Sequence, residues 1–100
     1  MNINEYIVAN RKFSGSLPVV KRVECADGFN ISVQASRYTY CSPPDDGGPW
    51  TEVECGFPSA EPEFIMEYCE DPERPTETVY GYVPVELVDQ LIAHHGGIKA

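Results

Sequence analysis

Long apolar runs are missing from this 100-residue chain. No uninterrupted stretch approaches the ~18 residues of a membrane span, and Met1 to Phe13 lacks a basic region followed by an apolar core, so it does not read as a secretory signal. The expected location is therefore the cytoplasm. Basic residues are scarce where acids are dense. Residues 1–50 hold five acids (Glu5, Glu24, Asp27, Asp45, Asp46) and five bases (Arg11, Lys12, Lys21, Arg22, Arg37). Residues 51–100 hold eleven acids against only Arg74 and Lys99, which puts the whole net charge of −9 in the second half. Such a field repels nucleic-acid phosphates and anionic membrane surfaces. It favours solubility, and it would attract a basic protein surface.

Catalytic signatures are missing too. Gly47-Gly48 is not followed by the Gly-Lys-Ser/Thr of a phosphate-binding loop, and Gly-x-Gly-x-x-Gly, His-Glu-x-x-His and Gly-x-Ser-x-Gly do not occur. Cys25, Cys41, Cys55 and Cys69 are 16, 14 and 14 residues apart. Structural zinc sites place ligand pairs two to four residues apart. Two disulfides would not persist in a reducing cytoplasm, so the cysteines are expected to be small core residues. His94 and His95 are adjacent near the end of a predicted helix. Neighbouring helix positions point about 100° apart, and the helix dipole favours histidine there without any metal or catalytic role. No cofactor or metal is expected.

What is present suits one domain spanning 1–100 with a single core, fed by 42% apolar residues. Residues 1–17 are weakly patterned and read as a mobile arm or an edge strand at Tyr6-Ile7-Val8, with Ser14–Pro18 as a loop. Phe29, Ile31, Val33 and Ala35 alternate with polar residues, the mark of a half-buried strand. Val19, Val23 and Cys25 share a face on the run before it. A three-residue loop, Ala26-Asp27-Gly28, would pair Cys25 with Phe29, Val23 with Ile31 and Val19 with Ala35; a two-residue loop would mix the faces. Gly28 is then left-handed. Tyr38 and Tyr40 extend this strand, and Ser42–Pro49 is a loop. Val53, Cys55 and Phe57 line one face of a third strand. Residues 59–69 fit a short helix or an extended run, with the irregular or short helical form favoured.

Thr78–Val83 reads as a strand. Pro84 suits the start of a helix whose stripe is Leu87, Val88, Leu91, Ile92 and His95, stopped by Gly96-Gly97. The expected fold is α+β: a small antiparallel β-sheet with a C-terminal α-helix packed on one face.

Two surfaces stand out. One is the acidic run Glu61, Glu63, Glu67, Glu70, Asp71, Glu73 and Glu77. It matches no calcium loop and is either a solvated face or a mimic of a phosphate backbone. The other gathers Tyr38, Tyr40, Asp45, Asp46 and Trp50, where Trp50 is either an interface anchor or a core residue at a strand start.

The stretch Thr51-Glu52-Val53-Glu54-Cys55-Gly56-Phe57-Pro58-Ser59-Ala60-Glu61, with Thr78–Pro84, His95-Gly96-Gly97-Ile98, the Asp27-Gly28 hairpin and Val33–Ser36, resembles a family of small uncharacterised proteins encoded by tailed phages and prophages. The resemblance spans most of residues 20–98 and carries no catalytic motif. It implies an accessory protein made in the bacterial cytoplasm. With the acidic half, it points to a non-enzymatic binder that inhibits a bacterial host or defence protein with a basic surface. The alternatives are a sponge for a nucleotide signal at Tyr38, Tyr40 and Trp50, a metal-dependent enzyme, and a virion structural or assembly protein. A homo-oligomer is compatible with all of them.

Overall fold

The computed structural model describes residues 1–99. The fold is α+β, with antiparallel strands in two sheets and a helix at either end of the chain.

The N-terminus departs from expectation. It is neither an arm nor a strand but a helix, α1 (Ile3–Ala9). Asn2 and Glu5 explain why. The Asn2 side chain accepts from the Glu5 backbone N–H at 2.9 Å, and the Glu5 carboxylate accepts from the Asn2 N–H at 2.9 Å. This reciprocal box satisfies two of the donors that a helix start leaves free. Ile3, Tyr6 and Ile7 face inward. The helix is fastened at three more points. Ile3 N–H donates to Asp89, Asn4 exchanges two hydrogen bonds with the Trp50 backbone, and the Tyr6 hydroxyl reaches the Lys21 and Arg22 carbonyls.

β1 (Arg11–Ser14) and β2 (Leu17–Val20) form a hairpin around Gly15-Ser16. The predicted loop therefore shrinks to two residues. The Val19–Ala35 pair is also corrected: Val20 is buried and Val19 exposed. Lys21-Arg22 interrupts the extended run, so the alternation before it is out of step with that after it.

The second sheet runs β3 (Val23–Glu24), β4 (Asn30–Gln34), β5 (Glu52–Gly56) and β6 (Val79–Pro84), each strand antiparallel to its neighbour. The Asp27-Gly28 turn follows the expected register. Val23 pairs with Ile31, Cys25 N–H donates to the Phe29 carbonyl at 2.8 Å, and Gly28 has φ +99°. Tyr38 and Tyr40 do not continue β4. The chain turns at Ser36, whose carbonyl accepts from Thr39 N–H, while its hydroxyl accepts from Tyr38 N–H. Phe57 is not an inward residue of β5; it lies past the strand end at φ +50° and is half exposed. Residues 66–68 form a single 3-10 turn, in line with the irregular alternative for this segment.

α2 (Val85–His94) starts one residue after Pro84 and buries Val88, Leu91 and Ile92. Asp89, on the side facing α1, receives the Ile3 N–H. One cluster of buried side chains joins both helices and both sheets, with Trp50, Tyr80, Ile65 and three of the cysteines inside it. All four cysteines are free thiols, and Cys69 is half-buried.

Candidate functional site

The β6 edge brings Tyr40, from one predicted surface, to the strand on which the acidic run docks. β5 and β6 are in register at Val53–Val83 and at Cys55–Tyr80. Between those pairs, Glu54 alone faces both Gly81 and Tyr82, which is a β-bulge. The extra residue forces Tyr82 to φ +53°, a left-handed conformation that bulky side chains rarely adopt. The freed Tyr82 N–H is taken up by the Tyr40 carbonyl at 3.0 Å. In turn the Tyr40 N–H donates to the Glu54 carboxylate at 3.0 Å. The two rings lie 5.9 Å apart, tilted by 30°, and each is 49% exposed. Gly81 permits this approach, because a Cβ there would lie 3.3 Å from the Tyr40 Cβ.

The acidic run docks on the same edge, two residues further back. Cys69 bridges to Tyr80, and Glu70 N–H donates to the Val79 carbonyl at 3.1 Å. The segment is pinned along its length. At its start, Ser59 and Asn30 are joined by two hydrogen bonds. In the middle, Pro62 and Ile65 are buried. Toward its end, the Tyr80 phenol donates to the Pro75 carbonyl at 2.6 Å. Burial holds that phenol above its ordinary range, so it stays a neutral donor.

The backbone of the run is thus fixed, and its carboxylates are left facing water. Glu61, Glu67, Glu70, Glu73 and Glu77 are exposed and, among the described residues, form no ion pair. Asp71 has a different task. It accepts from the Glu73 N–H and closes a turn through its own carbonyl and Arg74 N–H.

Glu63 is also set apart. Its carboxylate lies 3.0 Å from His95 Nε2 and 3.4 Å from His94 Nε2, while His95 Nδ1 lies 2.7 Å from Asp27. His95 stacks on Phe29 at 4.1 Å, and His94 meets Phe64 edge-on. An imidazolium can donate to both carboxylates at once; a neutral ring can donate to one. His95 thereby ties the β3–β4 turn, the acidic run and the end of α2 together. Both of its ring nitrogens are engaged by carboxylates. The Asp27 carboxyl is held below its ordinary range, first by the Phe29 N–H and then by His95. Sequence reasoning assigned the histidines to the helix dipole alone; nothing in the spacing of residues 27, 63 and 95 signals their meeting.

The other predicted residues separate. Trp50 is 2% exposed and belongs to the core, so it presents no ring face to a ligand. Its indole N–H donates to the Asp45 carbonyl, and Asp45 accepts from Gly47 and Gly48 N–H. Asp46 pairs with Arg37, and its carbonyl accepts from Arg11. Tyr38 points away from Tyr40 toward Ser16 at the β1–β2 turn, with the Arg37 guanidinium over its ring. Asp45, Asp46 and Trp50 therefore build the loop, and Tyr40 is the member of that group that reaches the acidic surface. Tyr82 and Glu54 were missed. A Gly-aromatic pair inside a strand, Gly81-Tyr82, is the signal that marks such a bulge.

Among the described residues, no three of His, Cys, Asp and Glu are arranged to hold one metal ion. No helix is long and apolar enough to cross a membrane. No protein family, curated protein or solved structure matches the chain.

Proposed function

We propose that this chain is a non-enzymatic binding protein that seats the acidic β6-edge surface on a basic surface of a bacterial protein and blocks it. The carrying observation is the ordered but uncompensated array of Glu61, Glu67, Glu70, Glu73 and Glu77. A flexible acidic tail would lose conformational entropy on docking. Here the backbone is already fastened by Ser59, Ile65 and Tyr80, so less ordering is left for binding to impose. Like charges held close repel one another, and a cationic partner relieves that repulsion. The exposed Tyr40–Tyr82 pair beside the array suits stacking of an arginine or lysine side chain. The phage-like resemblance supplies the setting: a bacterial host, with a host or defence protein as the target.

The test is capture from nuclease-treated bacterial lysate with the wild type and with Glu67, Glu70, Glu73 and Glu77 all changed to Gln. One protein partner, released by moderate salt and lost in the quadruple variant, is the expected result. Equal capture by both proteins at every salt concentration would refute the acidic surface as the binding face.

A further inference from the structure

Among the described residues, the edges of the two sheets are closed at every strand but one. β3 is covered by the C-terminal residues: Cys25 bridges to Ile98, Ala26 N–H donates to the Gly97 carbonyl, and Lys99 N–H donates to the Glu24 carbonyl. β6 is covered by Cys69, Glu70 and Tyr40. The outer edge of β2 is closed by a side chain. The Gln34 amide accepts from Val20 N–H at 2.8 Å and donates to the Val20 carbonyl at 3.0 Å, as a neighbouring strand would. Pro18, on the same outer edge, has no N–H to satisfy.

β1 is different. In a two-residue hairpin, the residues flanking the loop exchange hydrogen bonds and the pattern then alternates. Ser14–Leu17 and Lys12–Val19 are therefore the bonded pairs, and the Lys21 N–H bond to the Asn10 carbonyl at 2.9 Å continues the same alternation. It follows that the N–H and C=O groups of Arg11 and Phe13 point away from β2. Among the described residues they have no main-chain or side-chain partner. Natural edges are blunted by short length, twist, proline, charge or a covering segment, and β1 relies on its four-residue length and on Arg11 and Lys12. This one carries Phe13 at 55% exposure, and Leu17 and Val19 lie on the hairpin's outer face at 43% and 49%. The cations Arg11, Lys12 and Lys21 surround it.

We infer that β1 is a strand-addition site for an extended segment of a partner that alternates acidic and apolar residues. In an added strand, the residue opposite Lys12 projects to the outer face, where a carboxylate is the favourable choice. The residues on either side of it project to the opposite face, one opposite Phe13, where an apolar side chain is favourable, and one opposite Arg11, whose guanidinium lies over the Phe13 ring and donates to the Asp46 carbonyl. A second copy of this chain fits less well, because the antiparallel register that bonds Arg11 of one β1 to Phe13 of the other sets Lys12 directly opposite its own copy, and like charges so placed are destabilising. The site lies in the N-terminal half of the chain, where acids and bases balance, and stands independently of the acidic surface.

The probe is a short capped Glu-Val-Glu-Val-Glu-Val peptide, titrated into the full chain labelled with nitrogen-15. Saturable shifts at Arg11 and Phe13, with slowed hydrogen exchange of both amides, are expected. Phe13→Pro removes one outward N–H and leaves the β1–β2 bonds intact; it should weaken binding about tenfold, the scale of one or two lost main-chain bonds. A peptide N-methylated at alternate residues tests the same bonds without altering the protein. A Lys-Val peptide should bind at least tenfold more weakly. No saturable shift, an affinity unmoved by both Phe13→Pro and N-methylation, or equal binding of the Lys-Val peptide would overturn the inference. Protection of the same amides by concentration-dependent dimerisation without peptide would overturn the choice of occupant.

Discussion

Replacing Ile7 by Ala tests whether the first nine residues belong to the core. Ile7 is fully buried, one turn along α1 from the fully buried Ile3 and next to Tyr6. Truncating such a side chain costs about 2–5 kcal/mol, the transfer term plus the cavity left behind. A domain of this size has about 5–15 kcal/mol in all. With a urea slope of about 1–3 kcal/mol per molar, the denaturation midpoint should fall by about 1–3 M. The control is the next residue. Val8 is 54% exposed on the opposite side of the helix, and Val8→Ala should stay within about 0.5 kcal/mol of wild type. Urea unfolding followed by the fluorescence of Trp50, whose backbone is bonded to Asn4 of the same helix, reads both variants. Equal midpoints for Ile7→Ala and wild type would mean that α1 is not packed as described.

Three further outcomes are expected. Gly48→Ala should destabilise by about 1–3 kcal/mol, because a Cβ there would lie 2.8 Å from the Trp50 ring and φ is +66°; Gly15→Ala, with the same sign of φ but open space, should cost about 1 kcal/mol, and equal losses in thermal melts would contradict this. Asp27 has a folded pKa lowered by the Phe29 N–H and His95, so its contribution is complete above about pH 3.9 and disappears as pH falls through the lower folded value. Urea midpoints measured from pH 2 to 6 should therefore drop more steeply with acid in the wild type than in Asp27→Asn, and parallel curves would be evidence against the clasp. Asp89 has the opposite sign: burial raises its folded pKa, so its contribution is present at low pH and is lost as pH rises through that value. Asp89→Asn keeps an acceptor for the Ile3 N–H, and its stability should lack that loss as pH rises above the ordinary carboxylate value of about 3.9.

The middle and end of the chain were legible because their signals are local. The alternation at Phe29–Ala35 fixed both register and turn, and the 3.6-residue stripe of α2 fixed its buried face. The N-terminus misled because Tyr6-Ile7-Val8 has strand-like composition, while the decisive Asn2–Glu5 pair is a capping signal rather than a periodic one. The slip at Val19 came from carrying one alternation across Lys21-Arg22, where the chain leaves one sheet for the other. At the candidate site, the acidic run was visible as composition. Its meeting with Tyr40 was not, because the bulge at Gly81-Tyr82 and the docking of Cys69 on Tyr80 depend on contacts between residues far apart in sequence. Trp50 followed a Pro-Gly loop and read as well for a surface as for the core; its neighbours Asn4 and Asp45 decide for the core.

On the proposed function, the β6-edge surface meets a partner. The most direct measurement places a photo-crosslinking amino acid at Tyr82, at Glu70 and, as a control, at Gln90 on the exposed face of α2, and irradiates the protein in bacterial cells. Positions 82 and 70 are expected to yield the same crosslinked protein, suppressed by Glu67→Gln, Glu73→Gln and Glu77→Gln made together in either background, while position 90 yields none. Crosslinks from 90 but not from 82 or 70, or none from 82 and 70 beyond background, would contradict the account.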